Sequence, residues 1–232
     1  LYEHGSSREN DPQLHTHGVI LNIGIRPDGT TGSIETVDML AWQGAAASMF
    51  HATLAWHARK LGACIRMDGK VPEIEGIPDV VSRAFSQRRE QIKTAVEAAQ
   101  REAGLTPDIE RASRGLIQQA TIETRNAKDE LTREQLRALW VERGAALGFS
   151  EAEALEVLTL GEPIVELTES ELLDAARRAV DALSETSATF HDPSLYTAVA
   201  VELCGHADAA AIDRAVEAVK RELVYANEIV QR

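Results

Sequence analysis

The residues best suited to chemistry lie near the start of the chain, in the run HGSSRENDPQLHTH at residues 4–17. This run contains His4, His15 and His17. If the segment after Leu14 is a strand, His15 and His17 project from the same face, because side chains on a strand alternate between its two faces. Neutral imidazole is the commonest nitrogen ligand of divalent transition metals, and three such ligands leave positions open for water or a substrate oxygen. The run therefore predicts an open metal site of the catalytic kind.

The residues around the histidines narrow this interpretation. The segment DPQLHTH, residues 11–17, closely resembles the histidine motif of conjugative relaxases of the MobF (TrwC/TraI-like) family. Ser7, Arg8 and Asn22 extend the resemblance on both sides of that segment. Members of this family are metal-dependent endonucleases that act on one strand of DNA at a transfer origin.

The resemblance implies that His4, His15 and His17 bind one divalent metal ion (Mg, Mn or Zn). His4 would come from the strand or loop that leads into the turn at Asp11. In this family a tyrosine hydroxyl attacks a DNA phosphodiester and leaves a 5′-phosphotyrosine and a free 3′-hydroxyl. A cation held by neutral ligands keeps its full charge for the scissile phosphate, which gives a physical reason for histidine at these positions.

The family's nucleophilic tyrosines have no counterpart among Tyr2, Tyr196 and Tyr225. In the family they lie in the part of the domain that precedes the residue matching His4, as does a carboxylate near the nucleophile. We therefore expect this chain to be the C-terminal part of a relaxase domain that runs into the start of a helicase-like region. We also expect it to contain no catalytic residue and to be inactive in DNA nicking when alone.

Two polar residues near the histidines each allow two interpretations. Arg8 could clamp a phosphate, or it could pair with Glu9 or Asp11 on the surface of a turn. Asp11 could accept an imidazole N–H and so fix the tautomer of a metal ligand, or it could cap the turn before Pro12.

A helix predicted over residues 78–103 carries the most basic surface of the chain. Arg88, Arg89 and Lys93 are its candidates for contact with a DNA backbone; the alternative is a solvated face with charge pairs along the helix. The net charge of -13 argues against a protein that coats nucleic acid without sequence preference. The acidic residues are concentrated after Ser150, away from the histidines, and a bound metal would add positive charge at the phosphate.

The hydrophobic pattern predicts an α+β fold, with the antiparallel strands of a partial HUH-type relaxase sheet in the first third and mostly helices thereafter. Apolar residues 19–25 are expected to continue the histidine strand, buried on both faces. This strand is expected to turn at residues 27–32 and to return over residues 33–36 as a hairpin, and a second hairpin is predicted over 64–74. An Ala-rich helix over 39–61 is expected to pack against the sheet and to end at Gly62.

Capping-box patterns after residue 131 indicate short helices, and the last three amphipathic segments suggest a small C-terminal, winged-helix-like unit. We place the boundary near residue 128, so that residues 1–128 form the partial relaxase (HUH endonuclease) domain. Residues 129–232 would form a helical linker and the lead-in to a helicase-like region. The chain has no Gly-x-x-x-x-Gly-Lys-Ser/Thr loop, so ATP hydrolysis is not predicted.

The cysteines and the hydrophobic pattern bear on the cellular compartment of the protein. Cys64 and Cys204 lie far apart in apolar surroundings, which indicates two buried thiols and a reducing compartment. There is no run of about 18 apolar residues for a membrane span, and we expect a cytoplasmic protein. The expected partners are single-stranded DNA and relaxosome or other conjugation proteins, with the oligomeric state left open.

Three hypotheses for function follow. The first is a segment of a conjugative relaxase, which nicks DNA through a tyrosine. The second is a non-catalytic DNA- or protein-binding helical module with a relic metal site, and the third is a different three-histidine metalloenzyme. Metal titration separates the first from the second, and binding of single-stranded DNA separates the first from the third.

Overall fold

The computed structural model describes residues 2–125, 131–187 and 189–230, with side chains described for 3–125, 131–187 and 189–223. Its strands all lie in the first third of the chain and helices make up most of the rest, as predicted for an α+β fold. The strands are β1 (Tyr2–Ser6), β2 (Pro12–His17), β3 (Gly24–Ile25), β4 (Thr31–Gly32), β5 (Ile65–Asp68) and β6 (Val71–Ile74). The α-helices are α1 (Val37–Ala41), α2 (Gln43–Lys60), α3 (Asp79–Ala84), α4 (Gln87–Glu102), α5 (Arg114–Glu123), α6 (Arg133–Ala146), α7 (Glu151–Val157), α8 (Glu169–Thr186), α9 (Asp192–Glu202) and α10 (Ala209–Val230).

Strand pairing is local and antiparallel throughout the described residues. β1 pairs with β2, β3 with β4, and β5 with β6, so that each sheet is a single hairpin. The hairpin predicted over 64–74 is confirmed, with Ile65 opposite Ile74. A hairpin with the turn predicted at residues 27–32 is also present, but its strands are only Gly24–Ile25 and Thr31–Gly32, and residues 33–36 do not form the returning strand. None of the described helices is long and apolar enough to cross a membrane.

The chain folds into two compact units, and each is assembled from two separate stretches. Residues 1–21 and 77–154 form the first unit, and residues 22–76 and 155–232 form the second. The boundary predicted near residue 128 lies outside the described residues, because residues 126–130 are not among them. The division into 1–128 and 129–232 therefore stays a prediction, as does the winged-helix character of the C-terminal unit.

The first unit contains the β1–β2 hairpin and helices α3 to α6. The helix predicted over residues 78–103 is divided into α3 and α4, with the break at Phe85 and Ser86. The Ser86 hydroxyl donates to the Ser82 carbonyl at 2.7 Å, a local bond of the kind by which serine competes with helical backbone pairing. In α4, Val96 and Gln100 are buried, and the Gln100 amide closes the following turn through two hydrogen bonds to the backbone of Asp108.

The second unit is built around α2, α8, α9 and α10. The helix predicted over 39–61 corresponds to α1 and α2; α2 contacts the β5–β6 sheet, but it packs mainly on α9, through Ala52 and Ala55. Small side chains allow close approach of the two helices, whereas the large Phe50 and Leu54 lie on the other side and are 60% and 53% exposed. The largest fully buried side chains of this core are Leu172, Val199, Leu203, Ile212, Val216 and Val219.

The strand predicted to continue over residues 19–25 is wrong. β2 ends at His17, and Val19, Ile20 and Leu21 are 67%, 66% and 71% exposed. A strand buried on both faces needs a paired neighbour and a covering layer on each side. In the part of the chain that the structure describes, β2 pairs with β1 alone, so these apolar residues have neither.

Candidate metal centre

The three histidines of the motif lie together on one face of the β1–β2 hairpin. His4 in β1 is directly opposite His15 in β2, and His17 is two residues further along β2. Directly opposed residues of an antiparallel pair project to the same side, as do residues two apart on one strand. The ring centroids are 5.3 Å apart for His4 and His15, 4.8 Å for His4 and His17, and 4.9 Å for His15 and His17.

The spacing of the ring nitrogens fits one cation. One ligand atom from each ring lies within 4.8 Å of the other two. Three nitrogens bound to one tetrahedral metal at about 2.0–2.1 Å are about 3.4 Å apart. The ligand atoms therefore need to approach each other by at most about 1.4 Å, a change that small rotations of the side chains supply. His4 and His17 are exposed and His15 is half-buried, so the face is open to solvent and to a substrate.

His15 is the candidate ligand whose tautomer the backbone fixes. Its Nδ1 lies 2.9 Å from the carbonyl oxygen of Gln13. A carbonyl can only accept, so Nδ1 carries the proton and Nε2 keeps its lone pair for a metal. A metal-binding histidine usually donates its other N–H to a carbonyl or carboxylate in this way, which holds the ring in orientation.

The turn between the strands is closed by its own polar groups. The Ser7 hydroxyl oxygen accepts from the backbone N–H groups of Glu9 and Asp11, at 3.2 and 3.1 Å, and the N–H of Ser7 donates to the Asp11 carbonyl. Asn10 has a φ of 58°, the left-handed conformation that asparagine tolerates better than most residues. Ser7 thus makes the turn-capping bonds that the sequence had suggested for Asp11.

The side chain of Asp11 accepts hydrogen bonds from two helices rather than capping the turn. Its side chain is only 4% exposed, and its Oδ1 accepts from Gln87 Nε2 at 2.8 Å and from Arg143 Nη1 at 3.0 Å. The carbonyl of the preceding Asn10 accepts from Trp140 Nε1 at 2.6 Å. Sequence reasoning missed Gln87, Trp140 and Arg143, which follow the turn by more than 70 residues and carry no local signal of contact with it.

The candidate DNA contacts lie in two places, Arg8 in the turn of the hairpin and the other three on α4. Arg88 donates to the carbonyls of Thr121 and Thr124 at the end of α5. The side chain of Arg89 is 78% exposed and lies 3.9 Å from Glu110, and Lys93 follows one turn later in α4, half-buried. Arg8 is half-buried in the turn of the hairpin.

The negative charge of the chain is unevenly distributed. Residues 1–150 contain 18 Lys and Arg against 20 Asp and Glu, whereas residues 151–232 contain 6 against 17. The region of the histidines is therefore nearly neutral. Since nonspecific repulsion of DNA scales with local charge, the overall value of -13 does not oppose a phosphate at the hairpin.

Comparison with known proteins relates this chain to the relaxases. The family model for the TrwC relaxase matches residues 1–147, which include the histidine hairpin. The multifunctional conjugation protein TraI of Escherichia coli is 31% identical over 159 residues, which cover 64% of this chain and 8% of TraI.

Two solved structures of the conjugative relaxase TrwC, one in complex with mutant oriT DNA and one metal-bound with oriT DNA, are 33% and 32% identical. Both have a TM-score of 0.56 and match 64% of this chain, which spans 51% and 50% of theirs. The chain thus covers about half of those relaxase chains and less than a tenth of TraI. Since the family model covers more than half of its residues, the chain belongs to the TrwC relaxase family.

Proposed function

We propose that this chain binds one divalent metal ion through His4, His15 and His17 and presents it to a phosphate of single-stranded transfer-origin DNA. The observation that carries the proposal is the convergence of three imidazoles on one exposed face of the hairpin. Metal-bound and copper-bound structures of the relaxase TrwC with oriT DNA support it.

The ion would supply Lewis-acid stabilisation of the charge that develops on the phosphate. The histidines of this chain would hold the positive charge of the ion next to that phosphate. Imidazole ligands are neutral, so they leave the charge of the ion undiminished, and the Gln13 carbonyl keeps His15 in the tautomer that can bind. An all-imidazole donor set suits zinc better than magnesium, which prefers oxygen ligands.

In the complete reaction, a tyrosine oxygen would form a bond to phosphorus as the bond to the 3′-oxygen breaks, and the released oxygen would take up a proton. We propose that these 232 residues bind the DNA but leave it uncut. Burial, together with the hydrogen bond that Tyr196 donates to Asp213 at 2.6 Å, raises the pKa of the Tyr196 phenol. A phenol held neutral is a poor nucleophile. Tyr196 also belongs to the second unit, whereas the histidine hairpin belongs to the first. Conversion of supercoiled plasmid to nicked circles by this chain with metal would contradict the proposal.

The contacts that we propose for the DNA backbone are Arg8, Arg89 and Lys93. Arg88 is left out because it already donates to the end of α5. Removal of any one of these phosphate-binding side chains should reduce the slope of log affinity against log salt concentration by about 0.7 on single-stranded DNA, whatever the base sequence. The measurement is the affinity for a fluorescent single-stranded oligonucleotide at several salt concentrations, for wild type and Arg89→Ala. Arg101→Ala, a variant at an exposed arginine of the same helix paired with Glu97, is the matched control.

Calorimetric titration with zinc and manganese, with and without single-stranded DNA, tests the metal part of the proposal. We expect one ion per chain. A chain that binds DNA but takes up no metal would instead be the helical binding module with a relic site. A role in plasmid conjugation, in the cytoplasm and with relaxosome proteins as partners, belongs to the same proposal and follows from the likeness to TraI.

A further inference from the structure

The turn of the β1–β2 hairpin is attached to two helices by three side chains. Gln87 is the first residue of α4, and its amide donates to Oδ1 of Asp11. Arg143 of α6 donates to the same oxygen, and Trp140 of α6 donates to the carbonyl of Asn10. These bonds, at 2.8, 3.0 and 2.6 Å, converge on two consecutive residues. We call this set the turn clamp.

The turn clamp is protected from water. The Asp11 side chain is 4% exposed and that of Arg143 is 25% exposed, so their ion pair is largely desolvated. Removal of one partner of such a pair leaves a buried charge without compensation. This strongly destabilises the packing of the turn against α6. The turn cannot move away from α6 unless this pair separates, so the pair fixes the position of the turn.

The stem of the hairpin has much less support. Of the six residues in β2 only His15 is half-buried, and the other five are exposed. An open groove of about 840 Å³, lined by Gly5, Gln13, Leu136 and Trp140 among others, runs between the stem and α6. A two-stranded hairpin without a covering layer is marginally stable. The alignment of the two strands of the stem therefore depends on how their turn is held.

We infer that Arg143 and Gln87 are positioning residues for the metal centre, which hold the hairpin so that its three imidazoles share one cation. The inference rests on the metal site of the proposed function. His15 lies four residues, about 13 Å of strand, beyond Asp11, so a change of about 10° in the direction in which β2 leaves the turn displaces His15 by roughly 2 Å relative to His4 on β1. Ligand constellations tolerate only about 0.5 Å.

The test compares Arg143→Met with Arg137→Met, a variant at an arginine of the same helix whose side chain is 73% exposed and pairs with Glu151. The probe is Co²⁺, whose visible absorption reports both affinity and coordination geometry. Groups that orient metal ligands typically contribute 10- to 100-fold to affinity. We expect about tenfold weaker Co²⁺ binding and an altered spectrum for Arg143→Met, partial recovery for Arg143→Lys, and wild-type behaviour for Arg137→Met.

A second readout needs no metal. Amide hydrogen exchange over residues 12–17 should accelerate in metal-free Arg143→Met and stay unchanged in Arg137→Met. If Arg143→Met fails to fold, Gln87→Leu, which removes a neutral donor to the same oxygen, replaces it in both measurements. Wild-type exchange and wild-type Co²⁺ affinity in a folded clamp variant would overturn the inference. If the wild-type chain binds no Co²⁺, the proposed function fails, and the exchange rates still show whether the turn clamp orders the hairpin.

Discussion

Removal of His15 should abolish most of the stabilisation that metal gives to the folded chain. Structural zinc sites with four ligands bind with an apparent 10–16 kcal/mol, which corresponds to about 2.5–4 kcal/mol for each ligand. Since about 1.4 kcal/mol is a factor of ten, His15→Ala should weaken metal binding by roughly 10²- to 10³-fold. The half-buried His15, with its Nδ1 bonded to the Gln13 carbonyl, loses little freedom on binding, so we expect a loss within this range.

This loss can be measured as stability. At a zinc concentration 100 times the wild-type dissociation constant, binding adds about 2.7 kcal/mol to the free energy of unfolding of the wild type. At the same concentration, a variant weakened 100-fold or more gains at most about 0.4 kcal/mol. Chemical denaturation with and without zinc gives both numbers. His51→Ala, a variant at a half-buried histidine of α2 outside the site, should retain the wild-type gain. The three-ligand assignment would be refuted by a full gain of about 2.7 kcal/mol in folded His15→Ala.

Three further variants test the fold. Gly62→Ala should cost about 2–4 kcal/mol of stability by denaturation, because φ is 96° there and a Cβ would overlap the Leu158 carbonyl oxygen. Glu171→Gln should flatten the acid end of the stability profile: hydrogen bonds from the backbone and hydroxyl of Thr168 lower the Glu171 pKa from its ordinary 4.5, so wild-type stability falls as pH drops through the folded-state value. Arg88→Met should lower the melting temperature even without DNA, because its hydrogen bonds to the end of α5 are removed.

Each of these variants has a control that separates the stated cause from others. Gly69→Ala also places a side chain at positive φ, but in open space, so it should cost only about 1 kcal/mol. Glu185→Gln, on an exposed position of the same helix as Glu171, should keep the wild-type pH profile. Arg101→Met should leave the melting temperature within about 1 °C of wild type, since exposed ion pairs contribute little. Equal effects of variant and control would contradict the mechanism in each case.

The convergence of the three histidines could be predicted from the sequence because its signal is local. His4, His15 and His17 lie within 14 residues, and an alternating strand pattern is enough to place two of them on one face. Burial was harder to predict. Residues 19–25 have the composition of an interior strand, but whether a strand is buried depends on its neighbours, and β2 has one neighbour among the described residues.

The long-range contacts of the turn could not be predicted from the sequence. Nothing near Asp11 indicates that Arg143 or Gln87 will donate to it, because the pairing depends on how α4 and α6 pack. The same holds for α2: the alanines of its inner surface can pack against a sheet as well as against a helix, and its main partner is α9. Periodicity therefore identified the helices, while the identity of their neighbours required coordinates.

The clamped turn has a consequence for biosynthesis. Trp140 follows Asn10 by 130 residues, so the ribosome releases the histidine hairpin long before it releases the helix that secures it. At 5–20 residues per second this interval is roughly 7–26 s. Throughout this interval the nascent hairpin carries three imidazoles without the contacts from α6, and the turn clamp can form only when α6 emerges.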